Sequence, residues 1–402
     1  MNFNINGRLI VVAVMLLFVF STAYSASYYN IGNTNTTNIF VSPSGSPSNS
    51  GLDRLNPVDL DTAWARIGAA PARGWKVQML PGTYSYVPYL SFPGYVDGTL
   101  WNRSGPTAAR PIIFTAADGE GTVTISGATF NTAGVNYLYL INLTISDPGG
   151  DTVHFTYGNH LLLRNLTLIG NRVSAEETLK VNQAQYVYVE DSDISGGYNN
   201  ALDFVSVQHG SVVGNKLHEA DDWCAYAKGG SAYIVFSNNE VYNCGTGGIS
   251  AGQGAGFEFM TSPWLQYEAY DVKIYNNVVH DTDGAGLGVN GGYNILLAYN
   301  TLYHIGGRSH AIEVVYGSRS CDGLTAVCSA NLRAGGWGTA STSNSADIPD
   351  QNVFIYNNQY YRQIKGGAMG STFTLTLANI FMWHWEQPLV EHQKKSNELY
   401  GR

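Results

Sequence analysis

One short phrase returns seven times in the middle of this chain, and it constrains the fold more than any other feature. It reads LINLTI (140–145), LRNLTL (163–168), VEDSDI (189–194), VVGNKL (212–217), FSNNEV (236–241), IYNNVV (274–279) and LAYNTL (297–302). The last apolar residue of each phrase falls at 145, 168, 194, 217, 241, 279 and 302, so the steps are 23, 26, 23, 24, 38 and 23. A period in this range, built on strand-like alternation of apolar and polar residues and lacking a helical stripe, predicts a solenoid of short strands. The fold expected is all-β, a single-stranded right-handed parallel β-helix, spanning about 39–358 as one domain.

Composition agrees with that fold. Only 13% of residues are charged, and Gly (46) and Tyr (27) are abundant. Gly and Asn suit the left-handed turns that many short strands require. A net charge of −9 argues against a basic nucleic-acid-binding surface. Arg8 followed by an apolar run (9–20) and small residues at Ala23 and Ser25 has the layout of a secretory signal peptide, expected over 1–25. After its removal the chain is expected to be extracellular, monomeric and free of the membrane. Four cysteines fit an oxidising compartment: Cys321 and Cys328 share one insertion, and Cys224 and Cys244 lie about one coil apart, where a bridge is open. The sequons at Asn35 and Asn102 could carry glycans, whereas Asn142 and Asn165 read as turn asparagines within the repeat.

Ahead of the repeats, LDTAWARIGAA places Leu60, Ala63, Trp64 and Ile67 at helical spacing, a short amphipathic helix suited to covering a solenoid's open end. Two long gaps, one near 252–270 and one after Leu302, predict loops on one face. The first carries Trp264, Tyr267 and Tyr270, candidates for stacking on sugars or for packing over the coil wall.

Counting forward from each register mark locates the strand residues. Positions eight and ten residues on are mostly apolar and point inward, so the residue between them points out. This gives an outward ladder of His154, Lys180, Asp203, Tyr226 and Ser250, with rungs about 4.8 Å apart. The segment EADDWCAYAKGGS adds Asp221, Asp222, Trp223 and Lys228, and strict alternation puts Asp222, Cys224, Tyr226 and Lys228 outward. Carboxylates from Asp203, Asp221 and Asp222 are suited to Ca²⁺. A lysine beside a bound cation can act as a base, with Lys228 and Lys180 the candidates. Tyr226, Trp223, His154 and Trp264 are the candidate substrate contacts. The plainer alternative is that both aspartates end a turn and Lys228 is a solvated strand-end lysine. His154, His209, His280, His304 and His310 show no metal-ligand spacing.

The opening phrases IFVSPSGSPSNSG, LDTAW and VQMLPGTY resemble those of secreted right-handed β-helix proteins of the pectate-lyase-like superfamily, and the resemblance runs through the coils to about Asn358. It implies polysaccharide chemistry on an acidic glycan. ADDW with AYAKGGS is similar in residue types to the superfamily's calcium-and-lysine lyase sites. Polygalacturonase-like hydrolases share Asp221-Asp222, but here His209-Gly210 precedes it and no Arg-Ile-Lys follows. The expectation is therefore a calcium-dependent lyase, with a non-catalytic carbohydrate-binding or adhesin-like protein as the alternative. From about Gln359 the repeat disappears. Gly366, Gly367, Met369, Gly370 and Ser371, followed by 377–381 (LANIF), resemble the palm of a retroelement reverse transcriptase. Both metal-binding aspartate motifs of that family are missing, so the segment 359–402 is expected to be non-catalytic, with a short helix.

Overall fold

The computed structural model describes residues 28–361, apart from 69–70, 86–98, 101–102, 128, 147–149, 173–175, 339 and 342–343. The expected signal peptide, the sequon at Asn102 and residues 362–402 lie outside the described residues.

The chain winds as a right-handed parallel β-helix. Each coil contributes one strand to each of three long sheets; in one coil these are Asn136–Ile141, Thr144–Ser146 and Val153–Thr156. The first sheet runs from Thr36–Val41 to Gln351–Tyr356, the second from Gly82–Tyr84 to Gln359–Tyr361, and the third from Thr99–Leu100 to Ile312–Val315. All of their pairings are parallel and in register, such as Ile145 with Leu168, then Ile194, Leu217, Val241, Val279 and Leu302. These are the seven register marks of the repeat, stacked one above another in a single buried column. Gln359–Tyr361 pairs with Thr301–Tyr303, so the coil continues three residues past the boundary read from the sequence.

Helix α1 (Leu60–Ile67) buries the four residues its spacing predicted, Leu60, Ala63, Trp64 and Ile67. Asp59 caps it by accepting from Thr62 N at 2.7 Å, and Trp64 packs toward Phe114, with ring centroids 6.0 Å apart. The short helix thus closes the apolar end of the first coils.

The two insertions do not hang as separate loops. Gly254–Gly256 and Gly317–Ser320 pair in parallel, and Ala346–Ile348 adds antiparallel, making a small fourth sheet. Helix α2 (Thr325–Gly335), which periodicity did not reveal, packs on the 3₁₀ turn Phe257–Phe259. Phe257, Met260 and Cys328 form its core, with Trp264, Leu332 and Trp337 against them. Trp264 is therefore packing of this module, the plainer of its two expected roles. Both disulfides form, Cys321–Cys328 inside the module and Cys224–Cys244 between adjacent coils. No helix among the described residues is long and apolar enough to cross a membrane.

Candidate functional site

The outward row of the third sheet is the ladder that alternation predicted. His154 pairs with Lys180, Lys180 with Asp203, Asp203 with Tyr226, and Tyr226 with Ser250. The rungs are nonetheless sheltered. Asp203 and Tyr226 are 2% and 3% exposed, while the side chains of Lys180 and Lys228 keep 25% and 15%.

A second column lies two residues before each inward strand residue, and it supplies groups the sequence had not singled out. Asp151 precedes Val153, Glu177 precedes Leu179, and Asn200 precedes Leu202. His154 Nδ1 stands 3.1 Å from Asp151 Oδ2, and its Nε2 lies 3.2 Å from both Asn182 Nδ2 and Thr156 Oγ1. Lys180 Nζ donates to Glu177 Oε2 at 2.8 Å, and Glu177 N donates to Asp151 Oδ1 at 2.9 Å. Tyr226 OH donates to Asn200 Oδ1 at 2.6 Å and lies 3.4 Å from Asp222 Oδ2. The shared spacing of this column before each strand was the signal that could have found it.

The electrostatics sort these groups. Burial, reinforced by Asp203 and Asp151 against the pull of Lys180, pushes Glu177 up to about 8. Burial also acts on Asp151, but His154 and Lys180 outweigh it and hold that carboxyl below the usual range. Burial alone would lower Lys180; Glu177, Asp151 and Asp203 reverse this and raise it. Lys180 is thus a fixed cation, and its surroundings disfavour the proton-accepting role expected of it. Burial and the nearby carboxylates raise Tyr226 well above its ordinary value.

Lys228 is held differently. Its Nζ is 3.8 Å from Asp203 Oδ1, 3.4 Å from Gln253 Oε1, and 4.2 Å from the centroid of the Tyr226 ring. Asp203 Oδ1 itself is buried with no hydrogen-bond partner among the described residues. The turn after Lys228 is fixed by the insertions. Glu268 Oε2 accepts from Gly229 N at 2.8 Å, and Glu268 O accepts from Gly230 N at 2.9 Å. Arg319, wholly buried, pairs with Glu268, donates to Tyr267 O at 2.7 Å and lies 4.6 Å over Trp337.

Three expectations change. Cys224 does not face out: the chain departs from strict alternation, and Cys224 lies in the apolar core, bonded to Cys244. Trp223 takes the outward side instead but is 2% exposed, packed with Tyr226 and Ala285, so its faces are not open to a sugar. Gly247 and Gly288 make its room, since a Cβ on either would lie 2.5 or 2.6 Å from the indole. The aspartates Asp203, Asp221 and Asp222 do not gather as calcium ligands. Asp221 is engaged by Arg172 at the surface, and Asp222 lies beside Tyr226. The carboxylates that do converge, within 4.8 Å, are Asp151, Glu176 and Glu177. Lys180 Nζ already sits against Glu177 and His154 Nδ1 against Asp151, so these oxygens are taken up by protein partners and the group does not fit as a ready calcium cage either. Tyr267 and Tyr270 pack on Tyr293, with centroids 4.8 and 5.1 Å away.

Residues 117–262 match the family model described as right handed beta helix region. No curated protein sequence matches the chain. Among solved structures it is similar to an alginate lyase from Paenibacillus sp. str. FPU-7, with 13% identity, 81% of this chain and 95% of that one covered, and a TM-score of 0.45. It is also similar to a mannuronan C-5 epimerase A-module from Azotobacter vinelandii, with 11% identity, coverage of 75% and 80%, and a TM-score of 0.45. A rhamnogalacturonan lyase gives 12% identity, coverage of 84% and 90%, and a TM-score of 0.45.

Proposed function

We propose that this is a secreted polysaccharide-active β-helix protein that cleaves an acidic, uronic-acid polysaccharide by β-elimination along the outward face of the third sheet. The observation that carries this reading is the environment of Lys228. Of the two candidate lysines it is the one not clamped in short contact by a carboxyl group, and its Nζ lies 4.2 Å from the ring centroid of the rung residue Tyr226. Elimination needs a positive charge near the uronate carboxylate, so that the adjacent C–H becomes acidic, and a base to take that proton. Lys180, held charged by Asp151 and Asp203, supplies the first, and Lys228 the second. The bond from C4 to the glycosidic oxygen then breaks as the ring C4=C5 double bond forms, and the departing oxygen takes up a proton from water. Because the expected ligand set does not converge, no step is drawn through calcium.

A lysine takes up a proton only as the free amine, a form whose share grows as pH rises toward the ordinary lysine range. Activity should therefore rise with pH into the alkaline range. Incubation with pectate, alginate and other polyuronates, followed by the ultraviolet absorbance of the unsaturated product, tests this. Lys228→Ala should lower the rate by at least about 10²-fold and leave the fold intact. Full retained activity would remove Lys228 from the role of base.

A second reading, a non-catalytic carbohydrate-binding protein, is favoured by a specific observation. His154, Lys180 and Tyr226 direct their polar atoms to protein partners, as a structural network would. Binding of polyuronates with no unsaturated product would select it. New reducing ends without that absorbance would instead indicate hydrolysis.

A further inference from the structure

A second row of side chains runs along the solenoid on the first sheet. Tyr137, His160, Tyr186, His209 and Tyr233 occupy successive coils, each with a left-handed backbone (φ between 50° and 60°). Their ring centroids lie 4.7, 4.6, 4.9 and 4.8 Å apart; the last three pairs stack, and Tyr137 is tilted by 30° on His160. The faces inside such a stack are covered by one another, so only its ends can offer a ring face. At one end stands Tyr137. Its stacking neighbour is His160, which burial holds below the ordinary histidine range, so the platform there is uncharged at neutral pH.

The stack stops at Tyr137 for a reason visible in the register. Ile112 pairs with Leu138, so the position one coil before Tyr137 belongs to Pro111, which is buried and cannot extend a row of planar rings. Beside Tyr137 the surface opens into a hollow of about 550 Å³, lined by Pro71, Ser104, Pro106, Asn136 and Asn159 together with Tyr137. That volume lies within the range of small-ligand sites. Among the described residues the lining carries no charge. Asn136 is exposed, and no hydrogen bond engages its side-chain amide among the described residues, while its backbone N donates to Ser104 Oγ at 3.0 Å.

We propose that this hollow is a binding subsite for an uncharged sugar ring, seated against the Tyr137 ring at the end of the stack. The apolar face of a pyranose carries C–H bonds whose partial positive charge complements the negative face of an aromatic ring. Asn136 and Ser104 present an amide and a hydroxyl to the sugar's rim of hydroxyls. An anionic sugar gains nothing here, because no cation faces the hollow. The subsite lies on the first sheet and stands independently of the chemistry assigned to the third.

Calorimetric titration of the full chain with the hexamers of β-linked glucose, xylose, mannose and galactose, beside a trigalacturonate, tests the proposal. At least one neutral hexamer should bind, and the trigalacturonate should not compete with it. Tyr137→Asn, whose side chain tolerates the left-handed backbone, should weaken that binding by about tenfold or more. Tyr137→Phe should keep it, and Asn136→Ala should weaken it less. Binding of none of the neutral hexamers overturns the proposal. So does neutral-sugar binding that survives Tyr137→Asn in a protein with unchanged circular dichroism, or competition by the acidic trimer.

Discussion

Glu177 shows how the coil creates a chemistry that its residue type alone does not announce. Two residues before a strand, it meets Asp151 one coil below and Asp203 one coil above, in near-complete burial, and is pushed up to about 8. The native state therefore keeps a proton that the unfolded chain releases near its ordinary value of 4.5. The corresponding stabilisation is fully present below that value and is lost as pH rises toward about 8. Asp151 has the opposite sign, since its depressed carboxyl stabilises the fold at neutral pH and ceases to do so as pH falls. Glu177→Gln keeps the shape without the ionisation. Urea unfolding across pH should show the variant gaining on the parent through this window, by on the order of a few kcal/mol at its alkaline end. Parallel curves for the two proteins would mean that Glu177 is already ionised in the fold at neutral pH.

At the scale of the element, the polar residue within the repeat phrase does more than mark a turn. Asn215, Asn239, Asn277, Asn300 and Asn358 stack through five coils; the Oδ1 of each of the last four accepts from the backbone N and side-chain amide of the asparagine before it, and Asn215 Oδ1 accepts from Ser192 N at 2.9 Å. Each Nδ2 also donates to a carbonyl, as Asn277 does to Phe236 O at 3.1 Å. Asn142 and Asn165 sit one position earlier, at the left-handed turn itself (φ 59° and 52°), and are followed by leucine where the ladder later has asparagine. Asn277→Ala would strand buried donors and acceptors on both sides and should cost about 2–4 kcal/mol, more than Asn358→Ala at the less buried end. Equal costs in denaturant unfolding would show that the asparagines act singly and not as a ladder. The period-two and coil-length patterns made the sheets, the capping helix and the rungs from His154 to Ser250 legible, because those patterns are local. Position relative to a neighbouring coil was not legible. Asp221 turns to Arg172 from a distant part of the chain, Cys224 leaves strict alternation to meet Cys244, and Trp223 takes its outward place in the room left by two glycines. The Glu268–Arg319 clamp joins two insertions that have no period at all.

For the molecule as a whole, a solenoid makes stability a sum of neighbour terms, since each coil touches mainly the ones before and after it. Cys224–Cys244 is therefore a local staple with a defined reach. It joins two consecutive coils across 20 residues and ties the Trp223–Lys228 strand, and with it Tyr226 and Lys228, to the strand Glu240–Cys244 of the next coil. Closing a loop of that size restricts the unfolded chain by about 3 kcal/mol. Replacing both cysteines by alanine should loosen the coils they join while leaving distant ones as they were. Amide hydrogen exchange is the direct measurement. Protection at Ala225 and Ala227 should fall by about 10²-fold, whereas the strand Thr36–Val41 and helix α1, at the other end of the stack, should change little. Cys321–Cys328, closing only 7 residues inside the satellite module, should give no comparable loss in the coils when removed. If the first pair's removal speeds exchange equally from Thr36 to Tyr361, the coils unfold as one cooperative unit, and the Lys228 rung owes its placement to the whole stack and not to its nearest neighbours.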